Sequence, residues 1–457
     1  MRKLKPGTKF VLSFVFLLAV LPGGWWLYEN ERGASAWQEA QARAEAAGIS
    51  LARADYAGPE IPDKENLLLH PVFSKEFAKP EQDHLKEWSE LPTVGDNPGF
   101  LDPSLGVTID YRESFSEDLS ENEARARMAA AAHDFEKRLD DLAEAILTAP
   151  GALVFAEQNA TCDLTAVAES GIPFSSNLQR CLGDSILMAI RSGEGDRALD
   201  RLRVLDRWNR MLAGPTLLHL VIAVGGFSNE LDLIWEGLRL EVWTENELEV
   251  LVALVSQWDF KTRVSRALEF EMAFLLESLT LLEQGDEEER SLTSAGTTRG
   301  IDWRWERGPT GWSQSRKAEL VFGALDIIEV IRDDSGLRPD ELKKKNKVTS
   351  PWSSLDLIQQ ALETYRSVAQ TILSHSTTKQ HVALIALELE CHQFKNGSYP
   401  RSLEELSLNF PVIDRIDPDR RPLTYRLGKT GRPQINFANF EGEENPAWRY
   451  DPTSEIN

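Results

Sequence analysis

Between Phe10 and Tyr28 the chain reads FVLSFVFLLAVLPGGWWLY, 19 residues without a charge in a sequence that is 27% charged. As a helix rising 1.5 Å per residue this stretch would span about 28 Å, close to the hydrocarbon thickness of a bilayer. Arg2, Lys3, Lys5 and Lys9 precede it with no acid among them, and Glu29 and Glu31 follow at once. The basic end is therefore expected in the cytoplasm and the residues after Tyr28 on the extracytoplasmic side. A cleaved signal peptide competes with this reading, because Phe10 to Leu21 has the length of a signal core and Ala34-Ser35-Ala36 fits a small-residue cleavage site. Trp25, Trp26, Tyr28 and three charged residues separate the helix-breaking Pro22-Gly23-Gly24 from that site. That interval is too long and too bulky for a cleavage region, whereas paired tryptophans and a tyrosine suit the aromatic belt of a retained signal-anchor. The expectation is a single pass through the cytoplasmic membrane.

Charge narrows the partners of the remainder. The chain carries 50 basic and 73 acidic residues, a formal charge of −23, and removing the four basic residues of the tip leaves −27 beyond Lys9. Such a body repels phosphate, so a nucleic-acid partner is excluded, and anionic lipid surfaces are disfavoured everywhere but at the tip. Lys343, Lys344, Lys345 and Lys347 read as a solvated loop. With 42% hydrophobic residues and 13 tryptophans, the chain has the material for a substantial core. Three cysteines occur; Cys162 and Cys181 are the nearer pair in sequence, with Cys391 distant, and a disulfide and buried thiols are equally compatible with an exported location.

Periodicity divides the chain into four parts. Residues 1–33 are the cytoplasmic tip and anchor. Residues 34–119 hold an Ala- and Glu-rich helical stalk to Ala47, then a proline-rich arm whose apolar anchors are Leu67, Leu68, Leu69, Val72 and Phe73. Residues 120–376 form a helical body. It opens on a Ser120/Glu123 capping box and a stripe of Met128, Phe135, Leu139, Leu142 and Ile146. Helices are predicted at 176–192, 196–212, 231–240, 245–258, 264–282 and 315–331. The segment Thr216 to Phe227, apolar on every side and too short for a membrane, is expected to be the central helix of the core. Leu355, Ile358, Leu362, Tyr365, Ala369 and Ile372 make the cleanest amphipathic stripe. Residues 377–457 form a small α+β unit: a helix from Lys379 stopping at Asn396-Gly397, then strands at 422–427 and 433–440. The fold class is thus mainly α, with a multi-helix body and a short terminal hairpin.

Chemistry-bearing patterns are thin. Phosphate-binding glycine loops, HExxH and GxSxG are absent from the sequence. His381, Glu388 and His392 fall on one face of a predicted helix, but residues seven apart lie roughly 10 Å from one another, too far to share one ion; an i,i+4 pair between Glu388 and His392 is the simpler reading. His219 inside the apolar helix is read as a satisfied core histidine. Asp414, Asp417 and Asp419 have the oxygens Ca²⁺ prefers, yet Arg415, Arg420 and Arg421 compete for them. Trp303, Trp305 and Trp312, interleaved with Arg299, Arg304 and Arg307, could stack sugars or bases but read first as packing residues. No catalytic, cofactor-binding or metal residue is assigned.

Two resemblances add to this. RMLAGPTLLHLVIAVG, LIWEGLRLEVWTENELEVLVALV and RALEFEMA, with AAGISL and PEIPDKENLLLHPVF earlier and ALIALELECHQFKNGSYPRSLEEL later, resemble the large class of membrane-anchored helical proteins of planctomycete and verrucomicrobial bacteria. That resemblance implies a bacterial envelope protein and no particular activity. The corner Gly397-Ser398-Tyr399-Pro400 leading into the hairpin resembles the exposed end of the major pseudopilins of type II secretion, although a pseudopilin has this unit soon after its membrane helix. The expected function is non-catalytic: a membrane-anchored structural or interaction module, meeting another envelope protein through the C-terminal unit near Tyr425, Phe437 and Phe440. The alternative is an envelope hydrolase of glycan or peptide with its groove near Trp303 to Trp312.

Overall fold

In a computed structural model of the protein the described residues are 6–56, 139–149, 172–284, 309–333, 357–406, 408–412, 422–427 and 433–436, with isolated positions at 62, 67, 70–73, 120, 123 and 137. They are mainly helical with one two-stranded sheet. The helices are α1 (Pro6–Ala46), α2 (Ile172–Arg191), α3 (Gly195–Leu212), α4 (Leu217–Arg239), α5 (Glu245–Ser256), α6 (Phe260–Gln284), α7 (Thr310–Arg332), α8 (Leu357–Thr371) and α9 (Thr377–Asn396). Strands β1 (Thr424–Leu427) and β2 (Pro433–Asn436) pair antiparallel, Tyr425 opposite Ile435. Two compact units result, one from Met1–Ala57 with Leu268–Ser367, the other from Gly58–Ala267 with Val368–Asn457.

In the first unit α1 is unbroken from Pro6 to Ala46, 41 residues that run through Pro22-Gly23-Gly24. A proline removes one backbone hydrogen bond and kinks a helix, at a cost of about 3 kcal/mol, but need not end it where both flanks are strong helix formers. The sequence reading of a break there is corrected accordingly. The buried stripe of α1 runs through Glu29, Gly33, Ala40 and Ala44, a narrow seam of small residues that lets α7 approach backbone to backbone. A Cβ on Gly33 would sit 1.8 Å from the Gly311 carbonyl oxygen, and one on Gly311 would sit 2.0 Å from that of Glu29. The two helices run parallel: Asn30 Oδ1 accepts from the Gly311 N–H at 3.0 Å, Arg43 donates to Asp326 at 2.7 Å and to Glu329 at 2.8 Å, and Arg332 reaches the Ala47 carbonyl at 3.1 Å. Arg332 also pairs with Glu269 at 2.7 Å, and Arg53 with Glu277 at 2.8 Å.

The second unit gathers α2 to α5 and α9. Helix α4 extends past Phe227 to Arg239, so the two helices expected at 216–227 and 231–240 are one. Tertiary burial outweighs the roughly 1 kcal/mol that each of Gly225 and Gly226 costs a helix. Among the described residues α4 is the one helix long and apolar enough to cross a membrane, and 61% of its apolar window is buried within the fold. It is the core helix the sequence predicted. Leu67 and Phe73 are buried as arm anchors, with Phe73 stacked on Trp208 at 5.8 Å; Leu68 and Leu69 lie outside the described residues, and Val72 is half-buried. Leu139, Leu142 and Ile146 are buried as predicted, Met128 and Phe135 lying outside. The Ser120/Glu123 capping box forms, with Ser120 N–H donating to Glu123 Oε2 at 3.0 Å. The stripe of α8 is buried at Ile358, Leu362, Tyr365 and Ala369, and a wide π turn, Ile372–Ser376, leads into α9.

Helix α9 ends at Gly397, whose φ of 69° is the left-handed conformation that caps a helix C-terminus. The corner that follows is tied to the hairpin, because Tyr425 donates its hydroxyl to the Pro400 carbonyl at 2.7 Å while Tyr399 donates to Glu390 at 2.8 Å.

Candidate functional site

Among the described residues, those singled out from the sequence are not brought together. His381 stacks on Phe410 at 4.3 Å, and His392 places Nδ1 2.9 Å from the Ser398 carbonyl. The expected Glu388–His392 pair gives way to this bond, since the chain turns back over His392 at the Gly397 cap. Among the described residues no group of three or more His, Cys, Asp or Glu is arranged to hold a metal ion. Asp414, Asp417, Asp419, Trp303, Trp305, Phe437, Phe440 and Cys162 lie outside the described residues. Cys181 and Cys391 are buried. His219 is buried, its Nδ1 2.9 Å from the hydroxyl of Thr216, whose Oγ1 also accepts from the His219 backbone N–H. Burial pushes this imidazole down to about 4.

What the fold does assemble is a carboxyl pair in the middle of the second unit. Helix α3 presents Leu202, Leu205, Asp206, Asn209 and Leu212 on one buried face, and α4 presents Ala223, Gly226, Phe227, Glu230 and Ile234. Asp206, Asn209 and Glu230 are fully buried. Gln179 of α2 donates to Asn209 Oδ1 at 2.8 Å, Asn209 donates to Glu230 Oε2 at 3.5 Å, and the Trp258 indole N–H donates to Asp206 Oδ1 at 3.1 Å. Arg210, one turn along from Asp206, forms an ion pair with it. Glu230 Oε1 is buried and has no hydrogen-bond partner.

Position in this network is set by packing and by one glycine. A Cβ at Gly226 would lie 2.2 Å from Asn209 Oδ1 and 2.3 Å from Gln179 Nε2, so only glycine leaves room for that hydrogen bond. Trp258 is held by Phe227 at 4.7 Å, by Phe260 at 5.5 Å and by the Arg263 guanidinium 5.0 Å over its face. Gln380 of α9 donates to the Val255 and Trp258 carbonyls at 2.8 and 2.9 Å, which closes the end of α5.

Burial, and then the negative charge of Asp206, holds the Glu230 carboxyl well above the usual carboxylate range. Burial also pushes Asp206 up, but Arg210 and the Trp258 N–H oppose it. The charge of the pair therefore settles on Asp206 and the proton on Glu230. Chemically this arrangement stores a proton and pins three helices in register. Both of its carboxyl groups are buried in the core.

Sequence reading missed this group, although a signal was present. Asp206 and Asn209 occupy core positions of an otherwise apolar stripe, Leu202, Leu205 and Leu212, and Glu230 occupies one in the stripe of Phe227, Leu231 and Ile234. A polar residue at a core-facing position calls for a buried partner. In comparison with known proteins, no family model, no curated protein and no solved structure matches the chain.

Proposed function

We propose that the protein is a single-pass membrane-anchored structural module of the bacterial envelope, with α1 as both anchor and spine. The observation that carries this reading is the continuity of α1. Its first half is the uncharged stretch of bilayer length, and its second half is locked into the first unit by the Gly33–Gly311 approach and the Arg43 ion pairs. An anchor joined to its domain by a helix already packed into that domain transmits position and orientation, which a flexible tether does not. The basic tip keeps the amino end in the cytoplasm. The sealed Asp206–Glu230 pair supports a non-catalytic role, because the most perturbed carboxyl groups serve the packing of α2, α3 and α4.

In the same reading the C-terminal hairpin is the face offered to another envelope protein. Among the described residues it has two strands, Leu427 is 41% exposed, and a strand edge can accept a further strand. A periplasm-dependent reporter fused after Asn457 is expected to be active, and the full-length protein to remain with membranes through a carbonate wash. Activity of a cytoplasm-dependent reporter at that position would overturn the orientation, and a mature protein beginning at Trp37 would overturn the anchor. Crosslinking in intact envelopes, full-length chain against one ending at Asn396, is expected to lose a partner; an unchanged set of products would remove the hairpin from the proposal.

A further inference from the structure

From Leu21 onward, apart from Pro22, the side chains of α1 are described, and the large apolar ones left bare fall within about two turns. Leu21, Trp25, Trp26, Leu27 and Tyr28 are 61, 48, 41, 70 and 61% exposed. Consecutive helix residues step round the axis by about 100° each, so Trp25 to Tyr28 point to nearly every side of the helix. A protein partner covers one face of a helix, whereas a bilayer interface surrounds it. One turn later the character of the surface reverses: Glu29 is buried, and its carboxylate accepts from Arg32 at 2.7 Å.

A tryptophan from far along the chain joins this level. Trp312, in the first turn of α7, meets Trp25 edge to face with ring centroids 5.6 Å apart and planes at 74°. Helix α7 runs parallel to α1, so its amino end points the same way as the apolar half of α1. Its position along the axis is fixed by Asn30, which accepts from the Gly311 N–H at 3.0 Å. The first turn of α7 itself contains no acid.

We propose that Trp312 belongs to the same interfacial belt as Trp25, Trp26 and Tyr28, so that the amino end of α7 stands in the headgroup layer and the first unit rests on the membrane surface. The partner is a zwitterionic lipid interface, since a body of such negative charge is repelled by a strongly anionic one. Tryptophan suits this place because its ring is apolar and its N–H is a donor, the combination that headgroup depth rewards. The inference rests on the reading of α1 as an anchor and adds to it a second element in contact with lipid.

Full-length protein carrying 5-fluorotryptophan, reconstituted in phosphatidylcholine nanodiscs, provides the test. The ¹⁹F resonances of Trp25 and Trp312 are assigned by their loss in Trp25→Phe and Trp312→Phe. Phosphatidylcholine bearing a nitroxide at acyl carbon 5 is expected to broaden both resonances in the unsubstituted protein. Because the two rings are in contact, broadening of Trp25 with Trp312 left sharp would mean that the rings have parted in the bilayer: the anchor would stand and the seating of α7 in the interface would be overturned. If neither broadens, the anchor reading falls and this inference falls with it. Broadening of Trp312 alone would refute the shared belt.

Discussion

The Glu230 carboxyl is held well above the usual carboxylate range by its burial, and its replacement has a signed consequence. A carboxyl whose folded pKa lies above its unfolded value of about 4.3 contributes most favourably below that value, and its contribution is lost as pH rises toward the folded value. Glu230→Gln keeps the shape and removes the titration. It is expected to raise stability near neutral pH and to flatten the fall of stability between mildly acidic and neutral pH. Urea unfolding of both proteins across that range would show it; parallel pH profiles would mean that Glu230 is not the titrating group. His219 has the opposite sign. Its folded value of about 4 lies below the unfolded imidazole's, so the stability it contributes is present above about 6.5 and drains away as pH falls. Gly226→Ala is expected to cost about 2 to 4 kcal/mol, since the new methyl separates Gln179 from Asn209 inside the core. An unchanged urea midpoint would show that the network has room the geometry denies.

Among elements, the pairing of α1 with α7 is held by close approach more than by charge. Arg43 is partly exposed, and such pairs contribute little, about 1 kcal/mol or less. Gly33→Leu, by contrast, places a side chain where the Gly311 backbone lies. It is expected to lower the melting temperature and to open the segment after Ala46 to protease, while Arg43→Ala leaves the protease pattern unchanged; equal effects of the two would overturn this ranking. The helices themselves were largely legible. Apolar spacing placed α3, α6, α8 and α9 to within a few residues, and Asn396-Gly397 marked the end of α9 because a left-handed cap needs glycine. Two boundaries were not legible, at Pro22-Gly23-Gly24 and between Phe227 and Leu231. Local breakers signal an end, and only the surroundings of the finished helix decide otherwise. The carboxyl pair escaped for a related reason: Asp206 and Glu230 sit on different helices, and neither stripe alone reveals that its polar residue faces the other.

For the whole molecule, the excess of acidic residues sets the response to salt. Like charges on one chain repel one another, and ions screen that repulsion within about 10 Å at 0.1 M. Raising NaCl from about 10 mM to about 300 mM is expected to raise the melting temperature of the protein. A fall would mean that local ion pairs such as Arg332–Glu269 outweigh the net charge. The parallel α1–α7 pair has a consequence in time rather than in energy. Asn30 and Gly311 are 281 residues apart in the chain, and at a synthesis rate of about 5 to 20 residues per second roughly 15 to 60 seconds pass between the appearance of one and of the other. Through that interval the seam of Gly33, Ala40 and Ala44 has been made and its partner has not. The newborn α1 therefore waits, with the chain of the second unit up to Ala267 emerging in between, and α7 must be carried back to the starting point before the first unit can close.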